Sequence, residues 1–268
     1  MSYAEVIGNP IAQSKSPLIH RFWLDALGIA GDYRATQVLA EDLGEHLARR
    51  RDDPDWRGCN ITIPHKIAAL DHVADPGGVR GSIGAINTVF RGEGGELTGT
   101  NTDAGGFYAP LAETDLAEKP VVVIGAGGAA RAILFALSRM SVGPVTLLNR
   151  SPIKGAALLA HFGLKGNVLP LTATLPPAAL VVNASPLGMA GQPPLAIDLT
   201  PLPADAIVYD IVYAPLETDL LARAAARDLA VIDGLEMLIG QAAFAFEILF
   251  DAAPPRDRDG DLRAKLMQ

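Results

Sequence analysis

The chain has little cysteine, an excess of acid over base, and no long apolar run. A single cysteine, Cys59, in 268 residues excludes an internal disulfide and a cysteine-rich metal centre. The 22 Lys and Arg are outnumbered by 30 Asp and Glu, for a net charge of -8. That balance argues against a general nucleic-acid or anionic-membrane surface, so any phosphate ligand must be held by basic residues gathered locally. No segment approaches the apolar length that spans a bilayer. The opening MSYAEVIGNP has an acid and a proline where a secretory leader needs an apolar run. A cytoplasmic location, with no membrane or nucleic-acid partner, is expected. The histidines at 20, 46, 72 and 161 have no paired spacing, His65 reads as structural, and no metal site is expected.

What the chain does have is core material, 49% apolar residues, and enough length for two domains of ordinary size. Short apolar runs alternate with helical patterns, which predicts an α/β fold. In the first part AEVIG, DYRATQV and CNITI read as strands, and helices are expected over 17–27, 40–50 and 64–73. After about residue 105 the pattern is more regular. VVVIG, VTLLN, ALVVNAS, AIVYDIV and LAVIDG are continuous apolar runs, as buried parallel strands require. The charged segment AETDLAEKP, 112–120, reads as a connection between domains. LEMLIGQAAFAFEILF predicts a long helix that returns to pack on the first domain, and the polar tail after it is expected to be peripheral.

Near the N-terminus, AQSKSPLIHRFWLDALG poses a choice. Ser16 followed by Pro17 reads as a helix N-cap, with Gly28 closing the helix. Ser14 is left over, and a helix N-terminus also suits an anion.

VVVIGAGGAARAILFAL is a strand, a glycine turn and a helix. Gly125, Gly127 and Ala130 fit G-x-G-x-x-G/A, in which the first glycine allows the turn, the second admits a pyrophosphate, and the small third residue packs helix on strand. The next strand ends in Asn149, Arg150 and Ser151, without the carboxylate that an NAD ribose would use. Arg150 offers a planar fork for a phosphate, and Lys154 and Arg131 add charge, so NADP is the expected cofactor.

Three polar clusters carry the substrate signal: Asn60, Thr62 and Lys66 in NITIPHK; Asn87 and Thr88 in GAINT; Asn101, Thr102 and Asp103 in GTNTDAGG. Each has a structural reading, since Asn and Thr cap turns, Pro64 suits a helix start and Asp103 an N-cap. Together they offer amide, hydroxyl, ammonium and carboxylate groups to a small polyol.

SKSP, NITIPHK, GAINT, GTNTDAGG, GAGGAAR, NRS, NASPLGM, DIVYAP and GLEMLIGQ occur in that order, and over nearly its full length the chain resembles the shikimate dehydrogenase family. The resemblance implies an N-terminal α/β substrate-binding catalytic domain, 1–105, joined by returning C-terminal helices 236–268. It also implies a Rossmann-like parallel-sheet NADP domain, 106–235, with a cleft between the two. The implied activity is NADPH-dependent reduction of 3-dehydroshikimate to shikimate in aromatic amino-acid biosynthesis, by a monomer or homodimer. Lys66 and Asp103 would be the catalytic pair. Ser14 and Ser16 would bind the substrate carboxylate, and Asn60, Thr62, Asn87, Tyr213 and Gln241 would bind hydroxyls or orient the ring. Gly125, Ala126, Gly127, Gly128, Ala129, Asn149, Arg150, Ser151, Lys154, Met189, Gly234 and Met237 would bind the cofactor. A quinate or mixed quinate/shikimate dehydrogenase, or a catalytically silent binding protein, are the alternatives. Ala104, Ser151 and Lys154 depart from the family's common glycine, threonine and arginine.

Overall fold

In the computed structural model, which describes all 268 residues, the run YAEVIG forms a central strand, β1 (Tyr3–Gly8), buried along its whole length. It is followed by α1 (Ser16–Leu27), β2 (Asp32–Gln37), α2 (Leu43–Arg51), β3 (Trp56–Ile61), α3 (Val79–Ser82), β4 (Thr88–Arg91), β5 (Leu97–Thr100) and α4 (Asp103–Tyr108). The five strands make one sheet in the order β2-β1-β3-β4-β5. β1 runs parallel to β2 and β3, whereas β4 and β5 extend the sheet antiparallel. The register sets Asn60 opposite Thr88, and Thr88 opposite Thr100. All three polar motifs therefore begin or end on neighbouring strands.

Residues Gly106–Leu238 form a second compact unit, distinct from the first, which comprises Met1–Gly105 and Ile239–Gln268. The second unit is built on β6 (Val121–Ile124), α5 (Gly128–Arg139), β7 (Val145–Leu148), α6 (Pro152–His161), β8 (Gly166–Leu169), β9 (Leu180–Asn183), β10 (Ile207–Asp210), α7 (Asp219–Ala225) and β11 (Ala230–Ile232). Its strands are all parallel, in the order β11-β10-β9-β6-β7-β8. Read from β8, this is the doubly wound order in which the chain reverses direction across the sheet between β6 and β9. Ligands of such sheets bind outside the carboxyl ends of the strands at that reversal. The α/β expectation is borne out.

The long helix is α8 (Gly234–Phe250), and its residues from Ile239 onward belong to the first unit. Phe246 meets Trp23 edge-on with ring centroids 5.5 Å apart.

Four features differ from the sequence reading. No helix forms over 64–73; a turn leads into a short 3-10 helix at Ala68–His72. A helix would need the Lys66 carbonyl for the following turn, but that carbonyl accepts the Ile86 N–H at 2.8 Å. β4, β5 and β8 are strands with little apolar character, paired by register rather than by burial pattern. Segment 112–120 is not a connection between units, because Leu116 is buried and Ala117 bridges Val142 inside the second one. The tail is not peripheral. It forms α9 (Asp259–Leu266), which buries Leu262 and Leu266, and the Arg258 and Lys265 cations lie over the Phe22 ring.

Glu5 is a buried carboxylate in β1, with no exposed surface. It receives Arg50 Nε at 2.7 Å and Trp56 Nε1 at 3.1 Å, lies 3.1 Å from His46 Nε2, and accepts from Thr36. Burial alone would push the carboxyl up, but the contacts from His46, Arg50 and Thr36 outweigh it and hold it down at about 2. The unfolded chain thus takes up this proton at higher pH than the folded one. The stabilisation is complete above the ordinary glutamate value and is lost as pH falls from there toward 2. It amounts to roughly 3 kcal/mol. Urea melts at pH 7 and pH 3 should show a larger loss for wild type than for Glu5→Gln; equal losses would remove Glu5 from the acid response.

Candidate active site

In the first unit the three polar clusters converge. Lys66 lies in the turn after β3, and its Nζ donates to Asp103 Oδ2 in a nearly buried ion pair, the two side chains 15% and 5% exposed. Asp103 opens α4 but does not cap it. Asn101 does so, its Oδ1 accepting the Asp103 N–H at 3.0 Å and facing the Ala104 N–H at 3.4 Å. The Asp103 carboxylate is therefore left for side-chain partners. Asn87 Nδ2 donates to its Oδ1 at 2.9 Å, and reaches Thr102 Oγ1 at 2.8 Å and Gln241 Oε1 at 3.2 Å. Ala104 continues the helix, where no glycine is required.

Lys66 has three N–H donors. With one on Asp103, the others are left to bind a ligand oxygen. Thr62 is half-buried four residues earlier, while His65 turns away, its Nε2 2.7 Å from the Val38 carbonyl. Asn60 is buried beside this group, with both ends of its amide engaged: Oδ1 takes the Tyr33 hydroxyl at 2.5 Å, and Nδ2 reaches Thr88 Oγ1 at 3.0 Å and the Asn87 carbonyl at 3.2 Å.

The Ser16 cap read from the sequence does not form. The N-cap residue of α1 is Lys15, and Ser16 is already helical. Ser14 Oγ accepts the Ser16 N–H at 3.3 Å. A capping oxygen must precede the free N–H groups it serves. Gly28 closes the helix in the left-handed region, at φ 66°. Ser14→Ala should therefore cost about 0.5–1 kcal/mol of stability, the net worth of one hydrogen bond, and Ser16→Ala less. Denaturant melts of the two variants test this, and a larger loss for Ser16→Ala would contradict the assignment.

The second unit carries the glycine turn at the point of strand reversal. Gly125 has φ +107°, and a Cβ there would stand 2.9 Å from the Ala184 carbonyl, so only glycine lets the ends of β6 and β9 approach so closely. A Cβ on Gly127 would meet nothing within 4 Å. The exposed start of α5 has no side-chain cap, which leaves its N–H groups to an anion such as a pyrophosphate. Gly128 and Ala129 begin that helix, and Ala126 precedes Gly127 in the turn. At the end of β7, Asn149 Nδ2 donates to the Ser151 carbonyl at 2.9 Å, which shapes the turn into α6. Arg150 and Lys154 are exposed beyond that turn and make no ion pair. These features fit a dinucleotide with an added phosphate.

Met189 is half-buried after β9, and Gly234 and Met237 are buried at the start of α8. A Cβ on Gly234 would stand 2.5 Å from two carbonyls. Tyr213 follows β10, and burial raises its hydroxyl above the ordinary value.

Sequence reasoning missed Asn183 and Asp210. Asp210 Oδ1 accepts Asn183 Nδ2 at 2.9 Å and the Val212 N–H at 3.0 Å, and Oδ2 accepts the Thr218 hydroxyl at 2.7 Å. Burial pushes this carboxyl up, against those hydrogen bonds. The network ties NASPLGM to DIVYAP. Both residues lie inside quoted motifs at strand ends, which was the available signal.

Residues 6–89 match the model of the shikimate dehydrogenase substrate binding domain, and residues 234–258 match that of the shikimate 5'-dehydrogenase C-terminal domain. The chain is 65% identical to the shikimate dehydrogenase (NADP(+)) of Sphingopyxis alaskensis, over 99% of this chain and 97% of that one. It superimposes on the shikimate 5-dehydrogenase of Thermus thermophilus, solved in complex with NADP(H) and shikimate, with a TM-score of 0.86 and 36% identity over 99% of this chain and 100% of that one. A quinate dehydrogenase from Corynebacterium glutamicum in complex with NAD gives a TM-score of 0.87 at 30% identity, covering 98% and 99% of the two chains.

Proposed function

The chain belongs to the shikimate dehydrogenase family, and from that premise we propose that it reversibly reduces 3-dehydroshikimate to shikimate with NADPH, a step of aromatic amino-acid biosynthesis. The observation that carries this reading is the Lys66–Asp103 pair, braced by Asn87 inside the unit that also holds SKSP. A protein that only sensed a ligand would have no need of both an ammonium and a carboxylate at this point.

When bound, NADPH supplies the hydride for the ketone carbon. Lys66 meets the ketone oxygen, stabilises the negative charge that develops there and places a proton beside it. Asp103 holds the Lys66 ammonium in line and accepts from the neighbouring ring hydroxyl. Asn87, Thr62 and Gln241 orient the ring. Ser14 and Ser16 hold the carboxylate at the start of α1. A substrate role for Tyr213 rests on the family resemblance. On the cofactor, residues 125–129 would cradle the pyrophosphate, Asn149, Arg150, Ser151 and Lys154 the adenosine phosphate, and Met189, Gly234 and Met237 the nicotinamide side. The reaction is assigned to the cytoplasm, in a monomer or homodimer.

An absorbance assay of NADP or NAD reduction, with shikimate and with quinate, tests the reading. Shikimate with NADP should give the highest kcat/KM. Preference for quinate would make the chain a quinate dehydrogenase, and no turnover with either acid would remove the enzymatic reading.

A further inference from the structure

We infer that Tyr33, which lies outside every motif carrying the family resemblance, is a positioning residue for the Lys66–Asp103 pair. It acts through an ordered hydrogen-bond chain, Tyr33–Asn60–Thr88–Asn87–Asp103. Its kinetic consequence rests on the function proposed above; the chain itself does not.

The direction of every link follows from groups that can only donate or only accept. Asn60 Nδ2 lies 3.2 Å from the Asn87 carbonyl, which only accepts, so the amide nitrogen must face it. Asn60 Oδ1 then faces Tyr33, and the hydroxyl 2.5 Å away must donate. At the other end, the Thr102 N–H only donates and lies 2.7 Å from Asn87 Oδ1, which fixes the second amide. Thr88 Oγ1 sits between them. It accepts from Asn60 Nδ2 at 3.0 Å and donates to Asn87 Oδ1 at 3.1 Å. Asn87 Nδ2 is thereby aimed at Asp103 Oδ1, 2.9 Å away, and the opposite carboxylate oxygen takes Lys66.

Tyr33 is built for this one contact. It is fully buried in β2, and its ring stacks on His20 at 3.9 Å, the two planes nearly parallel. Burial holds its hydroxyl well above the ordinary value, so it stays a neutral donor. His20 does not compete for it, because neither of its ring nitrogens has a hydrogen-bond partner. Without the Tyr33 hydroxyl, Asn60 Oδ1 is a buried acceptor with no donor. Turning the amide over would set Oδ1 against the Asn87 carbonyl, and the one donor it would find there is the Thr88 hydroxyl. The strain passes to Thr88, whose hydroxyl is then drawn toward Asn60 and away from Asn87. Asn87 Nδ2 has only two hydrogens for three acceptors, Thr102, Asp103 and Gln241. Loosening its other end redistributes them.

Tyr33→Phe keeps the ring, its volume and the stack. It should lower kcat with shikimate by about tenfold while leaving the KM for NADP within about twofold. Thr88→Val should do likewise, and the double variant should lose no more than the worse single one, because the residues act as one unit. Phe246→Leu is the structural control. It thins the same aromatic cluster without touching the chain, so it should lower the Tm and keep kcat within about twofold. A readout independent of activity is the exchange rate of the Asn60 and Asn87 side-chain amide protons, followed by NMR in the unliganded protein. Tyr33→Phe should accelerate it by about tenfold or more. The inference is overturned by unchanged amide exchange, by wild-type kcat in Tyr33→Phe, by kcat losses that multiply in the double variant, or by an equal kcat loss in Phe246→Leu. If wild type turns over no shikimate, the proposed reaction fails and the amide exchange still decides the chain.

Discussion

Lys66→Ala should lower turnover with shikimate by about 10²–10⁴-fold and leave NADP binding near normal. The size of the effect follows from the surroundings of Lys66. Its ammonium is nearly buried against Asp103, in a setting where water cannot easily take its place at a ligand oxygen. The variant also strands the Asp103 carboxylate, whose remaining side-chain donor is Asn87. Asp103→Asn should lose turnover as well, because it keeps the shape and removes the charge that holds Lys66. Both losses should fall on kcat rather than on the KM for NADP, since neither residue belongs to the unit carrying the glycine turn. Steady-state kinetics with each substrate varied in turn provide the test. Near-wild-type turnover in Lys66→Ala would remove this lysine from the chemistry.

Arg150→Ala should raise the KM for NADP by roughly ten- to a hundredfold and leave that for NAD almost unchanged. This is the loss of one charge-assisted contact to the added phosphate, about 1.5–3 kcal/mol. Arg150 is exposed and makes no ion pair in the protein, so its removal should not affect stability. Lys154, on the first turn of α6, stays behind as a point charge and limits the loss. Equal effects on NADP and NAD would overturn the assignment of Arg150 to the phosphate. A Lys154→Ala variant with the larger effect would move the main contact one turn along the helix.

The residues alone determined the core strands of the second unit. Four of its strands, β6, β7, β9 and β10, are buried on both faces, so they are written as uninterrupted apolar runs, and Val121–Ile124 is the clearest case. The glycine turn is equally legible, because a backbone that approaches Ala184 as closely as Gly125 does excludes any side chain. The polar clusters were legible as residue types. What they do to one another was not.

Only the tertiary structure decided the rest. β4 and β5 are short and half polar, and their pairing follows from sheet register rather than from any local pattern. The turn at 62–66 shows the same rule, because the Lys66 carbonyl goes across to Ile86 instead of along a helix. The N-cap position of α1 fell on Lys15 instead of Ser16 through a single residue's shift in where the helix begins, and Ser14 is the serine whose oxygen accepts an N–H there. The tail reads as polar, yet two leucines and the stems of two cations suffice to dock it. Tyr33 carries no local sign of a role at all. A tyrosine in a strand is ordinary, and its hydroxyl acquires meaning only because the fold brings Asn60, 27 positions along the chain, within reach of it.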